Sequence, residues 1–223
     1  MQAQAVDLGA LQKALGTCAP RLNFAPWRQP LAAAFARFEI NTPRRVAAAV
    51  GQFLVEAGPT FSATVENLYY STAARLVAVF PEEIPNATVA AAFVGNPVAL
   101  GNLVYAGKGG NGDVASGDGY RFRGRGLIDV TFRDAYTALG AALGVELDDL
   151  TAYCETPAGA AMSGCWWLVS HGYLPLADAW DIDGITRLVN GPGMEGRGER
   201  NTYSTFILRT LGGLISLSTP TKW

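Results

Sequence analysis

Residues 41–71, N-T-P-R-R-V-A-A-A-V-G-Q-F-L-V-E-A-G-P-T-F-S-A-T-V-E-N-L-Y-Y-S, constrain the fold most, because they define both ends of one apolar helix. Thr42 offers a side-chain oxygen to free backbone N–H groups, and Pro43 at the first helical position gives up an N–H that had no partner. Gly58 and Pro59 stop the helix. Between them Val46, Val50, Phe53 and Ala57 recur at helical spacing, so this segment has to bury a stripe in a core. Glu56 falls at the C-terminal end beside that stripe. The negative end of the helix dipole and the apolar neighbours both disfavour an ionised carboxylate there, which is what a general acid near neutral pH requires. Ten residues on, Glu66 opens E-N-L-Y-Y-S, where Tyr69 and Tyr70 offer flat faces and hydroxyls suited to sugars. A glutamate at a helix end is also common as a solvated or structural residue, so the rest of the chain has to decide.

With 49% hydrophobic and 16% charged residues over 223 positions, the chain has ample material for a packed core and none of the marks of disorder. A net charge of −2 and a pI near 5.4 supply no field that draws it to nucleic acid or anionic lipid. Fourteen of the seventeen basic residues are arginine, and Arg121, Arg123, Arg125, Arg197 and Arg200 fall in two glycine-rich stretches, where they are expected to hold loops or contact polar ligands. Cys18, Cys154 and Cys165 are odd in number and lack ligand spacing, which argues against a disulfide framework and a zinc site. His171 stands alone and reads as a helix-end residue. No metal or cofactor is expected.

The first residues carry Asp7 and Lys13 where a signal peptide needs an apolar core, so they read as a short amphipathic helix. Residues 84–107 hold no charge and are long enough to span a bilayer, but Gly95-Asn96-Pro97 breaks them into two short buried helices. Further helices are expected over residues 28–39, with Leu31, Phe35 and Phe38 on one face, and over 72–79, 131–143, 157–170, 182–189 and 195–211. The tail from Ile215 is expected to fray. Residues 108–126, K-G-G-N-G-D-V-A-S-G-D-G-Y-R-F-R-G-R-G, are too rich in glycine for a helix and read as a long shaped loop with a short hairpin at residues 120–123. Their R-G-R-G fits neither the P-loop nor the dinucleotide fingerprint, since no Lys-Ser/Thr follows and no βαβ pattern surrounds it. No repeat or linker divides the chain, and one mainly helical domain spanning residues 1–223, with its core over 31–211 and no separate cell-wall-binding domain, is expected.

Two glutamates after a helix, then G-N-G-D-x-A-S-G-D-G-Y-R-F-R-G-R-G-L-I, then a late N-G followed by an arginine, form an ordered series that resembles family 19 glycoside hydrolases. Within that family it is most similar to the chitinase-like lysozymes of bacteriophages and bacteria. The resemblance covers about residues 31–211 and is most specific over 110–128. Where the family shows H-E-S-G, E-N-L-N-Y-S and R-G-R-G-x-I-Q-L-T-G-R-x-N-Y, this chain has Val55-Glu56-Ala57-Gly58, Glu66-Asn67-Leu68-Tyr69-Tyr70-Ser71, and residues 123–136 with Asp129 for Gln and Ala135 for Asn.

The resemblance implies a lysozyme-like, mainly α (α+β) fold of two helical lobes around a groove. It implies Glu56 as general acid, Glu66 as general base and Thr131 as a holder of the attacking water, with inversion at the anomeric carbon. Tyr70, Tyr120, Arg125, Asp129, Tyr136, Asn190 and Arg200 would contact substrate, and Arg123 and Arg125 would keep Asp129 charged. The expected substrate is the β-1,4-linked glycan of peptidoglycan, cut by a monomeric endolysin that waits in the host cytoplasm for a holin. The alternatives are a chitinase acting on N-acetylglucosamine polymers and a glycan-binding relative without catalysis. No nucleic-acid partner and no stable membrane insertion are expected.

Overall fold

The computed structural model describes residues 6–212; Ile215 and the tail beyond it lie outside the described residues. Thirteen α-helices run along them: α1 (Leu8–Cys18), α2 (Arg28–Arg37), α3 (Pro43–Glu56), α4 (Ala73–Val79), α5 (Ala87–Ala90), α6 (Pro97–Val104), α7 (Asp118–Arg121), α8 (Arg133–Leu143), α9 (Leu147–Cys154), α10 (Pro157–Ser170), α11 (Tyr173–Ala179), α12 (Ile182–Asn190) and α13 (Arg197–Thr210). The only extended pairing among the described residues is a pair of antiparallel bridges, Val65 with Arg125 and Arg125 with Val130.

The central helix forms for the reasons its sequence gives. The Thr42 hydroxyl accepts from the Arg45 N–H at 3.3 Å, Pro43 occupies the first turn, and Gly58 leaves the helix with φ +74°. Every residue from Val46 to Leu54 is buried. Alanines and a glycine share that burial with the larger residues, so neighbours approach from several sides. At Gly51 a Cβ would meet the Ser204 hydroxyl at 2.0 Å, which is why α13 can lie directly on α3. Burying Val46, Val50, Phe53 and Leu54 contributes about 1.5–3 kcal/mol each before conformational entropy is counted.

Three hydrophobic clusters result. The largest joins α1, α2, α3 and α10–α13. A second gathers Leu68, Leu76, Ile84, Ala90, Leu100 and Val104 from α4–α6 and the segment before them. The third is made by Phe122, Val130, Tyr136, Leu139, Leu150 and Cys154 around α8 and α9. The uncharged stretch is divided as expected, with the Asn96 side chain capping α6 at the Ala99 N–H and Pro97 opening the helix, but its expected burial is corrected: in α5 only Ala90 is buried, and Val89, Val94 and Val98 are exposed. No helix among the described residues is long and apolar enough to cross a membrane.

Some expectations are corrected. Residues 120–123 form no hairpin: α7 is a single helical turn, entered through Gly117 at φ +76°, with Asp118 tied to Gly112 and Arg133. The helix expected from residue 131 begins at Arg133, because Val130 is engaged in the bridge and Phe132 has φ +77°, ψ 150°. Two helices without a strong periodic signal, α9 and α11, exist because Leu150, Cys154, Tyr173 and Ala177 are buried against neighbours distant in sequence.

Candidate active site

Glu56 is the last residue of α3, where the largest cluster ends, and its side chain keeps 27% of its surface exposed. It is not the lone acid that the sequence suggested. The Arg200 guanidinium, only 2% exposed, pairs with the Glu56 carboxylate through Nη2, donates to Gln52 Oε1 through Nη1 at 2.6 Å, and to the Glu195 carbonyl through Nε at 3.0 Å. Gln52 sits one turn before Glu56 and is fully buried, so α3 presents two acceptors to one arginine of α13.

Glu66 lies in the extended segment between α3 and α4. Its Oε1 accepts from the Tyr105 hydroxyl at 2.5 Å and its Oε2 from the Gly124 N–H at 3.0 Å, while its own N–H donates to the Gly124 carbonyl at 2.9 Å. Tyr105 is held in turn by Phe132, whose ring meets it edge-on at 5.3 Å. Phe132 adopts a backbone conformation reserved almost entirely for glycine, at the position where the family pattern has Gly, and a Cβ on Gly109 would lie 2.4 Å from it. Burial, reinforced by the hydrogen bond to Glu66, pushes the Tyr105 phenol well above its ordinary range, so it stays a donor.

The bridge register places the remaining residues. With Val65 opposite Arg125 and Arg125 opposite Val130, one step along brings Glu66, Gly124 and Thr131 into a single row across three short segments. Gly124 has no side chain in that row, and the Asp129 carboxylate fills its place: a Cβ on Gly124 would lie 2.6 Å from Asp129 Oδ2. Asp129 is exposed, with Gly124 beneath its carboxylate. Desolvation by the surrounding protein, then the charges of Glu66 and Glu56, raise its carboxyl to about 7 against a weaker opposing pull from Arg125.

The expectation that Arg123 and Arg125 neutralise Asp129 is corrected, since both turn elsewhere. Arg125, 4% exposed, donates to Glu155, to the carbonyls of Arg121 and Arg123, and to the Tyr136 hydroxyl. Arg123 lies over the Tyr120 ring at 4.0 Å and donates to the Tyr120 carbonyl. Arg125, Tyr136 and Arg200 are therefore internal: Tyr136 is fully buried and donates to the Arg123 carbonyl, and these three have no open face for a sugar. Tyr70 packs edge-on against Phe80 at 5.5 Å and remains half-buried. Tyr120 is half-buried beneath Arg123. Asn190 ends α12 and its Oδ1 accepts from the Glu195 N–H at 2.6 Å, shaping the loop that carries Arg200. Sequence reasoning missed Tyr105, which sits at the end of an apolar helix with no nearby motif, and Gln52, whose place one turn before Glu56 was the available signal.

No group of three or more potential ligands for a metal ion occurs among the described residues. The arrangement offers two carboxylates of different setting, Glu56 on a buried arginine and Glu66 between a tyrosine hydroxyl and a backbone N–H.

No family model matches the sequence. Over 137 residues, 60% of this chain, it is 34% identical to a "Glycosyl hydrolase family 19 domain-containing protein" of Haemophilus influenzae, and the match takes in 64% of that protein's length. Chitinase C from Streptomyces griseus has a similar structure, with a TM-score of 0.59 at 17% identity over 96% of this chain and 79% of that one. A bacterial family 19 chitinase gives 0.57 at 19% identity over 94% and 96%. The class IV family 19 chitinase of Zea mays gives 0.53 at 15% over 92% and 90%. These findings overturn the expectation of peptidoglycan as the partner, because the solved proteins that share the fold over nearly the whole chain are chitinases. Over 60% of its length the chain is homologous to a family 19 glycosyl hydrolase domain protein, and over nearly all of it has the mainly helical fold of solved family 19 chitinases.

Proposed function

We propose that the protein is a glycoside hydrolase that cleaves β-1,4 bonds in polymers of N-acetylglucosamine. The observation that carries this reading is the different hold on two glutamates from different elements, Glu56 on the buried Arg200 and Glu66 between the Tyr105 hydroxyl and the Gly124 N–H. Glu56 is the general acid that protonates the leaving oxygen, and Glu66 is the general base that takes a proton from the attacking water. Tyr105 and Gly124 each engage one oxygen of Glu66, which fixes the carboxylate plane while a lone pair on each oxygen stays available for water. Thr131, in the same row across the bridges, helps hold that water. Attack from the face opposite the leaving group inverts the anomeric centre.

Homology to a family 19 domain protein and the chitinase fold support the reaction class and this substrate. The test is NMR of fresh products from chitin hexamer. The α-anomer is expected first; a β-anomer first would remove the water-activating role from Glu66, and no cleavage would overturn the reading.

A further inference from the structure

Gln52 is a polar side chain in a place where packing alone asks for an apolar one. It lies one turn before Glu56, in the fully buried middle of α3, with none of its surface exposed. A buried amide is costly unless both of its ends are hydrogen-bonded. Only one end is satisfied here. The oxygen accepts from Arg200 Nη1 at 2.6 Å, while Nε2 has no hydrogen-bond partner among the described residues. A methionine of similar volume would fill the same space without an unpaired donor. What the glutamine supplies, and an apolar residue does not, is an oxygen for Arg200.

That oxygen decides how Arg200 meets Glu56. The guanidinium is a rigid planar fork, and three of its donors are engaged by three different groups: Nε by the Glu195 carbonyl at 3.0 Å, Nη1 by Gln52 and Nη2 by Glu56. The pair with Glu56 is made through its Oε1 alone. An arginine with a free Nη1 beside a carboxylate favours the bidentate arrangement, with two parallel N–H···O bonds that occupy both oxygens. A carboxyl gripped in that way has no oxygen left for a proton. Gln52, by occupying Nη1, keeps the contact single.

We propose that Gln52 is a positioning residue for the general acid: through Arg200 it holds one oxygen of Glu56 and leaves the other to carry the proton that passes to the leaving oxygen as the glycosidic bond breaks. Gln52 is buried and touches no substrate, so its effect falls on proton donation and not on binding. This role rests on the reading of Glu56 as the acid of a hydrolase of N-acetylglucosamine polymers.

The experiment compares two substrates that differ in their need for an acid. A sugar alcohol leaving from chitin hexamer has to be protonated, whereas nitrophenolate leaving from p-nitrophenyl chitotrioside departs without a proton. Gln52→Met and Gln52→Ala both remove the oxygen, one keeping the volume and the other not. Each is expected to lower kcat on the hexamer about tenfold with KM changed less than about twofold, the scale of a misplaced proton donor, and to alter kcat on the nitrophenyl substrate by less than about twofold. Gln52→Glu returns an oxygen to Arg200 Nη1 and should keep kcat on the hexamer within about threefold of the wild type. Glu56→Gln, as the reference, should show the same contrast between substrates on a larger scale. An equal loss on both substrates in Gln52→Met and Gln52→Ala, an unchanged kcat on the hexamer, or a loss in Gln52→Glu as large as in Gln52→Met would overturn the inference and leave the hydrolase reading intact. Equal losses on both substrates in Glu56→Gln would overturn the assignment of the acid as well, and a wild type that cleaves neither substrate would overturn the hydrolase reading itself.

Discussion

Glu56 leaves the largest cluster on a fourteen-residue helix and is gripped by a buried arginine, whereas Glu66 sits on an extended segment and is held by a tyrosine hydroxyl and a backbone N–H. The side proposed to supply the acid is built by charge within a packed core. The side proposed to supply the base is built by neutral donors delivered from loops and short helices. The difference lies in what holds each carboxylate: a cation buried in the core for Glu56, and neutral donors for Glu66. A charged partner resists displacement because leaving it buried and alone is costly, while neutral hydrogen bonds orient a base without neutralising it. Asp129 stands between the two settings and belongs to neither.

The largest test of the contrast is Glu56→Gln. Rates on chitin hexamer should fall by about 10²–10⁴-fold, the range for losing a positioned proton donor. Because Arg200 would keep only the neutral acceptors Gln52 and the Glu195 carbonyl, stability should also fall, by about 1–3 kcal/mol in urea unfolding. Unchanged stability would show that the ion pair does not brace the acid side.

Tyr105→Phe probes the other side and should have a smaller effect. Removing one neutral donor from Glu66 should lower kcat/KM about five- to tenfold and change stability by less than about 1 kcal/mol, since the ring still meets Phe132. A loss as large as that of Glu56→Gln would erase the distinction between the two settings.

The smallest effect concerns how the base side is anchored at its glycine-rich loop. Arg133, with help from the Gly112 N–H, holds the Asp118 carboxyl below its usual range although burial opposes this. Its contribution to stability is therefore complete above the unfolded value of about 3.9 and is lost as pH falls through the lower folded value. Asp118→Asn should lower the melting temperature at pH 6 by a few degrees, and the gap to the wild type should close as pH approaches 2. A gap that persists at pH 2 would mean that the carboxylate charge is not what anchors the loop.

Much of this protein was determined locally. Thr42-Pro43 and Gly58-Pro59 bracket α3 whatever surrounds it, and Asn96-Pro97 splits the uncharged stretch, because caps, proline and glycine act on the backbone within a few residues. The two glutamates were legible from their order along the chain and from the R-G-R-G block that follows. Only the tertiary structure decided what each side chain does there. Arg200 and Arg125 read as groove arginines in sequence, yet each is buried and braces a neighbour, since the partners that satisfy them lie 144 and 30 residues away. Tyr105 carries no motif and became a partner of Glu66 only when α6 was packed beside the bridges. Asp129 looked like a charge awaiting its arginines; the turn set it over Gly124 among acids instead, because burial and electrostatics depend on what converges in space and not on what is adjacent in sequence.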